Sequence, residues 1–441
     1  MKKLKWWGAL ALVTGAALAG CGGNSDSNGD SASLRIANAT LTHPSLDLLV
    51  NSSVSVSATA SDTVSAYVGP ASGSNTLQLN DAGAGTALAT IVPTLTAGSH
   101  YTLLAYESGG VVKTSVVSED VTAPASGVAT LRIFDAAIEA GALDVYISTG
   151  DCSSANLSAL SAATSFGVLT SPQAVSLTQG AGTYNVCVTG SGTKSDLRMS
   201  MPLTVTSQQV VTVFMTPASG GLLLNGSTLV QQGAYAAVRN TNTRVRLASA
   251  VSGGVPVTAS ASNAGCTGGT CTIDSGVSPA FGFYTLVPAA SSLNITVNSN
   301  SVGAPATALP AGGDVTLLVY GSAASATASL IVDDNRPPSV STSTKLRLIN
   351  GVTGNVGNLT LTANSSPVGI SVAPSAASSY VSLSSTASST SAANTFSFAL
   401  SSSTVGPLTL PTSSATGTVS ANTAYSVLAV GDVSAPQLLI R

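Results

Sequence analysis

A six-residue phrase recurs four times along this chain of 441 residues, and it constrains the fold more than any other feature. It reads LRIANA, LRIFDA, VRLASA and LRLING, beginning at Leu34, Leu131, Val245 and Leu346. A second, apolar phrase follows late in each unit, as YTLLAY, VVTVFM, VTLLVY and YSVLAV. A period of about 100 residues is too long for a solenoid but long enough for a domain with its own core. We therefore expect four tandem domains, independent of one another like beads.

Within a unit, apolar and polar residues alternate, which is typical of half-buried antiparallel strands. LDVYI, beginning at Leu143, and YNVCV, beginning at Tyr184, both follow this pattern, which places Cys187 on the face opposite the core. Only 7% of the residues are charged, whereas helices usually carry charges on their solvent faces. We predict an all-β chain of tandem immunoglobulin-like antiparallel β-sandwiches behind a lipoprotein signal peptide.

The expected domain ranges follow from the repeats and from short Pro-, Ala- and Ser-rich segments between them. A signal peptide and a flexible tether precede the four sandwich repeats. In chain order, these six segments are 1–20, 21–32, 33–127, 128–241, 242–340 and 341–441.

The leader has the parts of a secretory signal peptide. MKKLK is positively charged, an apolar stretch follows, and Leu18-Ala-Gly-Cys21 closes it. This ending resembles the lipobox of bacterial lipoproteins, in which the cysteine takes a diacylglycerol and then further fatty acid such as palmitate. The resemblance implies a lipid on Cys21 that binds the membrane. Because Gly22 rather than Asp follows, it also implies sorting to the outer membrane, facing the periplasm or the cell surface. The alternative is an ordinary secretory signal with a chance cysteine.

The four remaining cysteines are suited to an oxidising compartment outside the cytoplasm. Four cysteines allow three pairings, of which we expect Cys152 with Cys187 and Cys266 with Cys271. Metal binding is the alternative for the second pair. Because the chain has two histidines, both in the first unit, no Cys/His site can be completed, and we expect neither a metal nor another cofactor.

The first two units resemble a known family. A leading L-R-[IV]-x-[ND]-A strand, an L-D-V-Y-[IV] strand and a Gly turn before a Tyr-rich strand are similar to domain of unknown function 4397. The resemblance implies a sandwich fold and an exported, often lipid-anchored and tandem setting, but no activity. The later units depart from the pattern, with VPV at Val255 and LTL at Leu359 in place of the strand that carries aspartate.

An arginine occupies the second position of every leading phrase. In the first two units an aspartate follows 12 residues later, which gives the pairs Arg35–Asp47 and Arg132–Asp144. If adjacent strands carry both residues on the face away from the core, each pair is a repeated cross-strand ion pair. The alternative is a repeated binding spot for anions such as sugar carboxylates. We favour the ion pairs.

The sequence holds no pattern that points to catalysis. It lacks a G-x-S-x-G elbow and a phosphate-binding glycine loop with lysine, and no carboxylates are paired at a glycosidase spacing. Asp333-Asp334-Asn335 is interpreted as an acidic linker rather than a Ca²⁺ site, and a net charge of −3 disfavours nucleic acid. We predict a non-enzymatic, lipid-anchored rod that acts as a structural, adhesive or ligand-binding module on an envelope glycan or protein. The alternative is an envelope hydrolase or a carbohydrate-processing accessory protein.

Overall fold

The structure is a computed structural model that describes residues 30–354, 356–384 and 393–441. The predicted lipidation site, Cys21, lies outside these residues, as do the leader and most of the tether. The strands form four groups, which we call sandwiches 1 to 4, and each group has two sheets around its own apolar core. The predicted all-β fold of tandem sandwiches is confirmed. Within the described ranges, no helix is long and apolar enough to cross a membrane.

Sandwich 1 contains β1 to β10, and its two main sheets have the orders β10-β9-β1-β4 and β3-β2-β6-β7. Its short strands β5 and β8 pair with each other. The bounds are β1 Ser33–Asn38, β2 Ser45–Val50, β3 Ser53–Ala60, β4 Thr63–Val64, β5 Gly73–Ser74, β6 Leu77–Asp81, β7 Ala87–Ile91, β8 Thr94–Leu95, β9 His100–Ser108 and β10 Val111–Ser118.

Sandwich 2 contains β11 to β19 in sheets of the orders β14-β11-β17-β18-β19 and β13-β12-β15-β16. A short helix, α1 Ser154–Ser158, lies between β12 and β13. The strand bounds are β11 Val128–Asp135, β12 Leu143–Ser148, β13 Thr164–Phe166, β14 Gln173–Gly180, β15 Gly182–Gly190, β16 Leu197–Val205, β17 Val210–Pro217, β18 Leu224–Val230 and β19 Tyr235–Val238.

Sandwich 3 contains β20 to β28 in sheets of the orders β23-β20-β27-β28 and β22-β21-β25-β26, and β24 also pairs with β20. The bounds are β20 Asn242–Ser252, β21 Pro256–Ser262, β22 Thr270–Val277, β23 Ala280–Phe281, β24 Thr285–Pro288, β25 Ser292–Val297, β26 Asn300–Val302, β27 Asp314–Ser322 and β28 Thr327–Asp333.

Sandwich 4 contains β29 to β37 in sheets of the orders β32-β29-β36-β37 and β31-β30-β33-β34, and β35 also pairs with β33. The bounds are β29 Thr344–Asn350, β30 Leu359–Ala363, β31 Ser366–Val372, β32 Val381–Leu383, β33 Ala393–Ser402, β34 Gly406–Leu408, β35 Thr416–Ser420, β36 Ala424–Val430 and β37 Gln437–Ile440.

The two recurring phrases form neighbouring strands in the centre of one sheet of each sandwich. The leading phrase forms β1, β11, β20 and β29, and the late phrase forms β9, β17, β27 and β36. These strands pair in parallel in every sandwich, although the other pairings are antiparallel. Parallel pairing is available because a long connection, which contains the opposite sheet, separates the two strands.

Sandwiches 1 and 2 pack against each other through the sheets that carry these phrases; we call them the first pair. Ala37 and Leu104 of sandwich 1 form a buried apolar cluster with Phe134, Phe214 and Leu229 of sandwich 2. The two phenylalanine rings meet edge to face, with centroids 5.5 Å apart, a favoured geometry for aromatic pairs. The sheet face turned away from each core is therefore buried as well.

Sandwiches 3 and 4, the second pair, repeat this arrangement. Ala248, Phe281 and Leu318 of sandwich 3 form a buried cluster with Ile349 and Leu428 of sandwich 4. The expectation of independent beads in a rod is therefore wrong for these neighbours. The sheets that carry the recurring phrases are apolar on both faces. Each therefore buries its outer face against the sheet of a neighbouring sandwich.

The joint between the two pairs is polar. The Arg336 guanidinium lies 2.9 Å from a carboxylate oxygen of Glu139, and that of Arg244 lies 3.7 Å from Asp196. The Ser219 hydroxyl donates to the backbone carbonyl of Ala311, at 2.5 Å. Such contacts contribute less stability than the burial of apolar area within each pair.

Candidate functional site

Both predicted disulfides are confirmed: Cys152 is bonded to Cys187 and Cys266 to Cys271. The first connects the segment before α1 to β15 and lies in a small cluster with Tyr146, separate from the main core of sandwich 2. Cys187 thus lies on the face opposite the core, as the alternation predicts. The second disulfide closes the turn between β21 and β22, and its thiols are therefore not free to bind a metal.

The predicted ion pairs Arg35–Asp47 and Arg132–Asp144 are wrong. In both sandwiches the strand of the arginine and the strand of the aspartate belong to opposite sheets, so that the two side chains do not meet. The aspartates instead accept hydrogen bonds within their own sheet region. Asp47 accepts from the N–H groups of Ala58 (2.7 Å) and Gly83 (2.9 Å), and Asp144 accepts from the N–H of Gly192 (2.7 Å) and the hydroxyl of Ser191 (3.2 Å).

Arg35 is buried between sandwiches 1 and 2 and contacts both. Its Nε donates to the hydroxyl of Thr102 and to Glu119 Oε1, both at 3.0 Å, and its Nη2 donates to Glu119 Oε2 at 2.5 Å. Its Nη1 donates to the carbonyl of Gly233 in sandwich 2, at 2.7 Å. The guanidinium carbon lies 4.7 Å from the centroid of the Tyr67 ring. Arg35 thus joins the two sandwiches through charge-assisted hydrogen bonds and a cation–π contact.

Glu119 is the buried carboxylate that pairs with Arg35. Burial alone raises the pKa of Glu119, but hydrogen bonds from Arg35, Thr102, the Gln232 N–H and Tyr67 outweigh it and hold the pKa below its usual value. The carboxylate is therefore charged at neutral pH. The contact with Gln232, at 2.6 Å, again crosses to sandwich 2.

Arg132, the equivalent arginine of sandwich 2, is only half-buried. Its Nη1 donates to the carbonyl of Ser118 in sandwich 1, at 2.8 Å. Burial lowers the pKa of Arg132, and the charge of Glu119 opposes this effect. The arginine of each sandwich in the first pair therefore binds a carbonyl oxygen of the other sandwich.

Arg246 of sandwich 3 repeats the position of Arg35. Its Nε donates to Thr316 at 2.9 Å and lies 3.6 Å from the Asp333 carboxylate. Its Nη2 donates to the hydroxyl of Ser426 in sandwich 4, at 2.8 Å. The guanidinium carbon lies 4.3 Å from the centroid of the Phe281 ring and 4.6 Å from that of Tyr284.

Arg347 of sandwich 4 faces Arg246 across the interface. Its Nε donates to the same Ser426 hydroxyl at 2.9 Å, and its Nη1 donates to the carbonyl of Val332 in sandwich 3, also at 2.9 Å. Its Nη2 contacts the Asp333 carboxylate. One aspartate, fully buried, thus serves both arginines of the second pair.

The acidic residue has the same place in both pairs. Glu119 follows β10, and Asp333 ends β28, the equivalent strand of sandwich 3. In sandwich 2 the equivalent residue is Gln231, whose amide bonds to the N–H of Val121 (2.9 Å) and to its carbonyl (2.8 Å). The odd-numbered sandwich therefore supplies the carboxylate of its pair.

These contacts bear on the anion-binding alternative. Arg35, Arg246 and Arg347 are each at most 4% exposed, and their donors are engaged by protein groups. An anion from solution thus has no access to these three guanidinium groups unless the pair opens. The arrangement is chemically suited to fixing two sheets face to face.

The segment 333–335 leads from β28 towards β29, as a linker does, and its side chains are held by polar contacts. Asp333 is buried at the interface, Asp334 lies 3.0 Å from the amine of Lys345, and the Asn335 amide donates to Asp314 at 2.7 Å. Asp333 and Asp334 are held within the second pair because Arg347 and Lys345 lie opposite them. Within the residues that the structure describes, no three His, Cys, Asp or Glu side chains are grouped to hold a metal ion.

The two histidines contact carboxylates. His43 Nδ1 lies 2.7 Å from Asp81 Oδ1, and His100 Nδ1 lies 3.0 Å from Asp120 Oδ1. The two imidazoles belong to different ends of sandwich 1, on β9 and in the loop before β2. The His100 ring packs edge to face against Tyr67, with centroids 5.5 Å apart, and so lies beside the Arg35 cluster.

Among the comparisons with known proteins, one family model matches the first part of the chain. The family model described as "Domain of unknown function (DUF4397)" matches residues 32–146, which contain sandwich 1, β11 and the first part of β12. No curated protein matches the chain. A solved structure titled "The Bacillus anthracis TIE protein" is similar with 9% identity and a TM-score of 0.15, and the match covers 66% of this chain and 50% of that one. Residues 32–146 are therefore similar to the DUF4397 family, whose function is unknown.

Proposed function

We propose that the protein is a non-enzymatic scaffold of the bacterial cell envelope, held at the outer membrane by lipid on Cys21. It presents two rigid pairs of sandwiches as a structural, adhesive or ligand-binding module. The observation that carries the proposal is the use of the repeated arginines. In a chain in which only 7% of the residues are charged, these side chains join sandwiches to one another.

The anchor rests on the leader. One acyl chain gives only reversible membrane binding, whereas two or more, at about 0.8 kcal/mol per buried CH₂, hold a protein stably. The tether after Cys21 has a reach of roughly 20 Å by random-coil scaling, enough to keep sandwich 1 clear of the lipid headgroups. The ranges 33–127, 128–241, 242–340 and 341–441 are the domains that this proposal assigns to the scaffold.

The disulfides support a place outside the cytoplasm, because structural disulfides persist in oxidising compartments. A low content of charge also suits a spacer that meets many surfaces without strong electrostatic attraction. An envelope glycan or a second envelope protein is the partner class that we propose for the module.

The anchor is tested by Cys21→Ser in a Gram-negative host. We expect the unchanged chain to incorporate radioactive palmitate and to stay with the outer membrane after a high-salt wash, whereas Cys21→Ser loses the label and becomes soluble. The double variant Cys266→Ala/Cys271→Ala is the matched control and should keep both label and location. An unlabelled parent chain, or a Cys21→Ser variant that remains in the outer membrane, contradicts the anchor.

The scaffold is tested separately, by amide hydrogen exchange of the purified chain. A scaffold of rigid pairs predicts that the sheets between paired sandwiches exchange amide hydrogens as slowly as the cores. Fast exchange in β1, β11, β20 and β29, with slow exchange in the opposite sheets, contradicts the scaffold but leaves the anchor intact.

A further inference from the structure

The two pairs share one groove, which holds a strand in the first pair. It lies between β18 of sandwich 2 and residues 62–67 of sandwich 1, and β19 occupies it, paired antiparallel with β18. On the other side of the groove, Arg239 lies 2.6 Å from Asp62. Tyr235 and Val64 pack against the same apolar cluster. The first pair therefore shows what a strand in this groove contacts.

Residues 375–380 of sandwich 4 form the same wall in the second pair. The Ser375 N–H donates to the carbonyl of Asn350 at 2.8 Å. In sandwich 1 the Asp62 N–H donates in the same way to the carbonyl of Asn38, at 2.7 Å. The tyrosine five residues later lies against the guanidinium of the recurring arginine in both sandwiches. Ser375 is therefore equivalent to Asp62, and the two walls correspond residue by residue.

β28 of sandwich 3 forms the opposite side of this groove, at the place of β18. The recurring arginine of the facing sandwich donates to the carbonyl of Val332 in β28 and of Val230 in β18, at 2.9 and 3.5 Å, so these valines are equivalent. The Val230 N–H bonds to Ala234, in the turn into β19, and Val230 thus directs its backbone groups at the groove. Because direction alternates along an antiparallel ladder, Leu330 of β28 does the same.

In the second pair the groove is open. It has a volume of about 660 Å³ and is lined by β28 and by residues 375–380. The strand that follows β28 in the chain is β29 of sandwich 4, and within the described ranges no strand pairs with the outer edge of β28. Burial reflects this difference, because Ile331 of β28 is only half-buried, whereas its equivalent Leu229, beneath β19, is 1% exposed.

The lining of the open groove determines which strand it can take. Ala377 stands in place of Val64, and this smaller side chain leaves room for an aromatic ring opposite Ile331. Ser375 stands in place of Asp62, so the carboxylate that meets an arginine in the first pair is missing. The second groove therefore suits a strand with an aromatic residue and does not require a charge.

We propose that the groove along β28 is an acceptor site for an extended strand of a partner protein, antiparallel to β28. The strand carries an aromatic side chain opposite Ile331, as Tyr235 stands opposite Leu229, and a small side chain two residues later. Its backbone pairs with Leu330. Strand addition to an exposed edge takes its affinity from main-chain bonds and its specificity from the flanking side chains.

This inference rests on the proposed function, since it names the kind of envelope protein that the module binds. The two can fail separately, because a chain that binds no strand can still carry the lipid and still exchange slowly in its paired sheets.

The test uses the purified full chain and a fluorescent synthetic peptide with the sequence of residues 231–240. We expect saturable binding in the micromolar range by fluorescence anisotropy, and fast hydrogen exchange at Leu330 that slows when the peptide is bound. Ser379→Arg, which fills the groove from an exposed position, should weaken binding about tenfold or more. Ser397→Arg, equally exposed on the opposite sheet of sandwich 4, is the matched control and should bind as the parent chain does.

Peptide variants test the side chains. Alanine in place of the tyrosine should weaken binding several-fold, whereas alanine in place of the arginine should change it little. Ser375→Asp, which restores the residue of the first pair, should bind the arginine peptide several-fold more tightly and the peptide without arginine no better.

Three results overturn the proposal: no binding at millimolar peptide, equal binding to Ser379→Arg, or protection that maps to a strand other than β28. Slow exchange at Leu330 without peptide would mean that another segment of this chain fills the groove, and a dimer that Ser379→Arg dissociates would assign it to a second copy. Either of these also overturns it.

Discussion

The first and second pairs place the same arginines at the same interface but bury them to different extents. In the second pair Arg246 and Arg347 are 3% and 2% exposed and share one carboxylate. In the first pair Arg35 is 4% exposed, whereas Arg132 is half-buried and donates to a single carbonyl. The stability of the second pair should therefore depend more on its acidic residue than that of the first.

Asp333→Asn is the sharpest way to break the second pair. It leaves two buried guanidinium groups without their counter-charge, which costs about 3–5 kcal/mol. Denaturant unfolding should show this loss in sandwiches 3 and 4, while hydrogen exchange in sandwiches 1 and 2 stays unchanged. A loss below about 1 kcal/mol would show that the carboxylate does not hold the pair together.

The first and second pairs each contain one disulfide, and the two disulfides close loops of different length. The bond of sandwich 2 spans 35 residues and that of sandwich 3 spans 5. The chain-entropy model assigns about 4 kcal/mol to the first and about 2 kcal/mol to the second. Cys152→Ala/Cys187→Ala should therefore lower the unfolding midpoint of the first pair more than Cys266→Ala/Cys271→Ala lowers that of the second. The reverse order would mean that local packing, rather than loop closure, decides the effect.

Glu119→Gln tests the acidic residue of the first pair. We expect a loss of about 2–3 kcal/mol, because a charged hydrogen-bond acceptor is replaced by a neutral one beside Arg35. The folded pKa of Glu119 is lowered, so its contribution is present above the unfolded pKa and disappears as the pH falls through the folded pKa. The difference between Glu119→Gln and the parent chain should accordingly vanish in acid. A difference that persists there would contradict the electrostatic origin.

Asp135→Asn should stabilise the first pair. Asn38 and Asn350 occupy this position in sandwiches 1 and 4, and their side-chain amides donate to backbone carbonyls, at 3.0 and 2.9 Å. The Oδ2 atom of Asp135 has no partner, and burial raises the pKa of Asp135 to about 6. For an acid with a raised folded pKa, stability falls as the pH rises between the unfolded and folded values.

The expected gain from Asp135→Asn is about 2 kcal/mol at pH 7.5 and close to zero at pH 4. Thermal unfolding at both pH values checks it, and Asn38→Asp in sandwich 1 should show the opposite sign. A gain of the same size at both pH values would exclude ionisation of Asp135 as its cause.

Arg132→Ala should have the smallest effect, about 1 kcal/mol or less, because the side chain is half-buried and donates one hydrogen bond to Ser118. Arg35→Ala, at the equivalent position of sandwich 1, should cost several times more. Urea unfolding of the two variants gives the comparison. Equal losses would show that burial does not separate the two arginines.

Strand content and core faces could be predicted from the sequence because both follow from a period of two. Leu143 and Val145 lie in the core of sandwich 2, and Cys187 lies on the opposite face. The disulfides also followed, from an even number of cysteines and the short separation of Cys266 and Cys271. The partners of the arginines could not be predicted in this way. The predicted pairs required the first two strands of a sandwich to lie in one sheet, but the chain crosses to the opposite sheet after β1.

A second feature of the sequence, apart from the alternation, indicates that the sandwiches pack face to face. The late phrases, such as YTLLAY and VTLLVY, are apolar at nearly every position, which is typical of strands buried on both faces. The acidic partners were visible too, since Glu119 and Asp333 stand at the end of the strand after the late phrase, where sandwich 2 has Gln231. Which sandwiches form a pair could not be read from one unit, because Arg132 and Arg347 contact groups that the preceding unit supplies.

Differential scanning calorimetry of the full chain, with Glu119→Gln and Asp333→Asn, tests most directly whether the arginine interfaces make pairs. If they do, the chain unfolds in two cooperative transitions of about 150 kcal/mol each, from about 0.7 kcal/mol per residue. Glu119→Gln then lowers only one transition and Asp333→Asn only the other. Four transitions of about half that enthalpy, with each substitution shifting a single sandwich, would contradict the account.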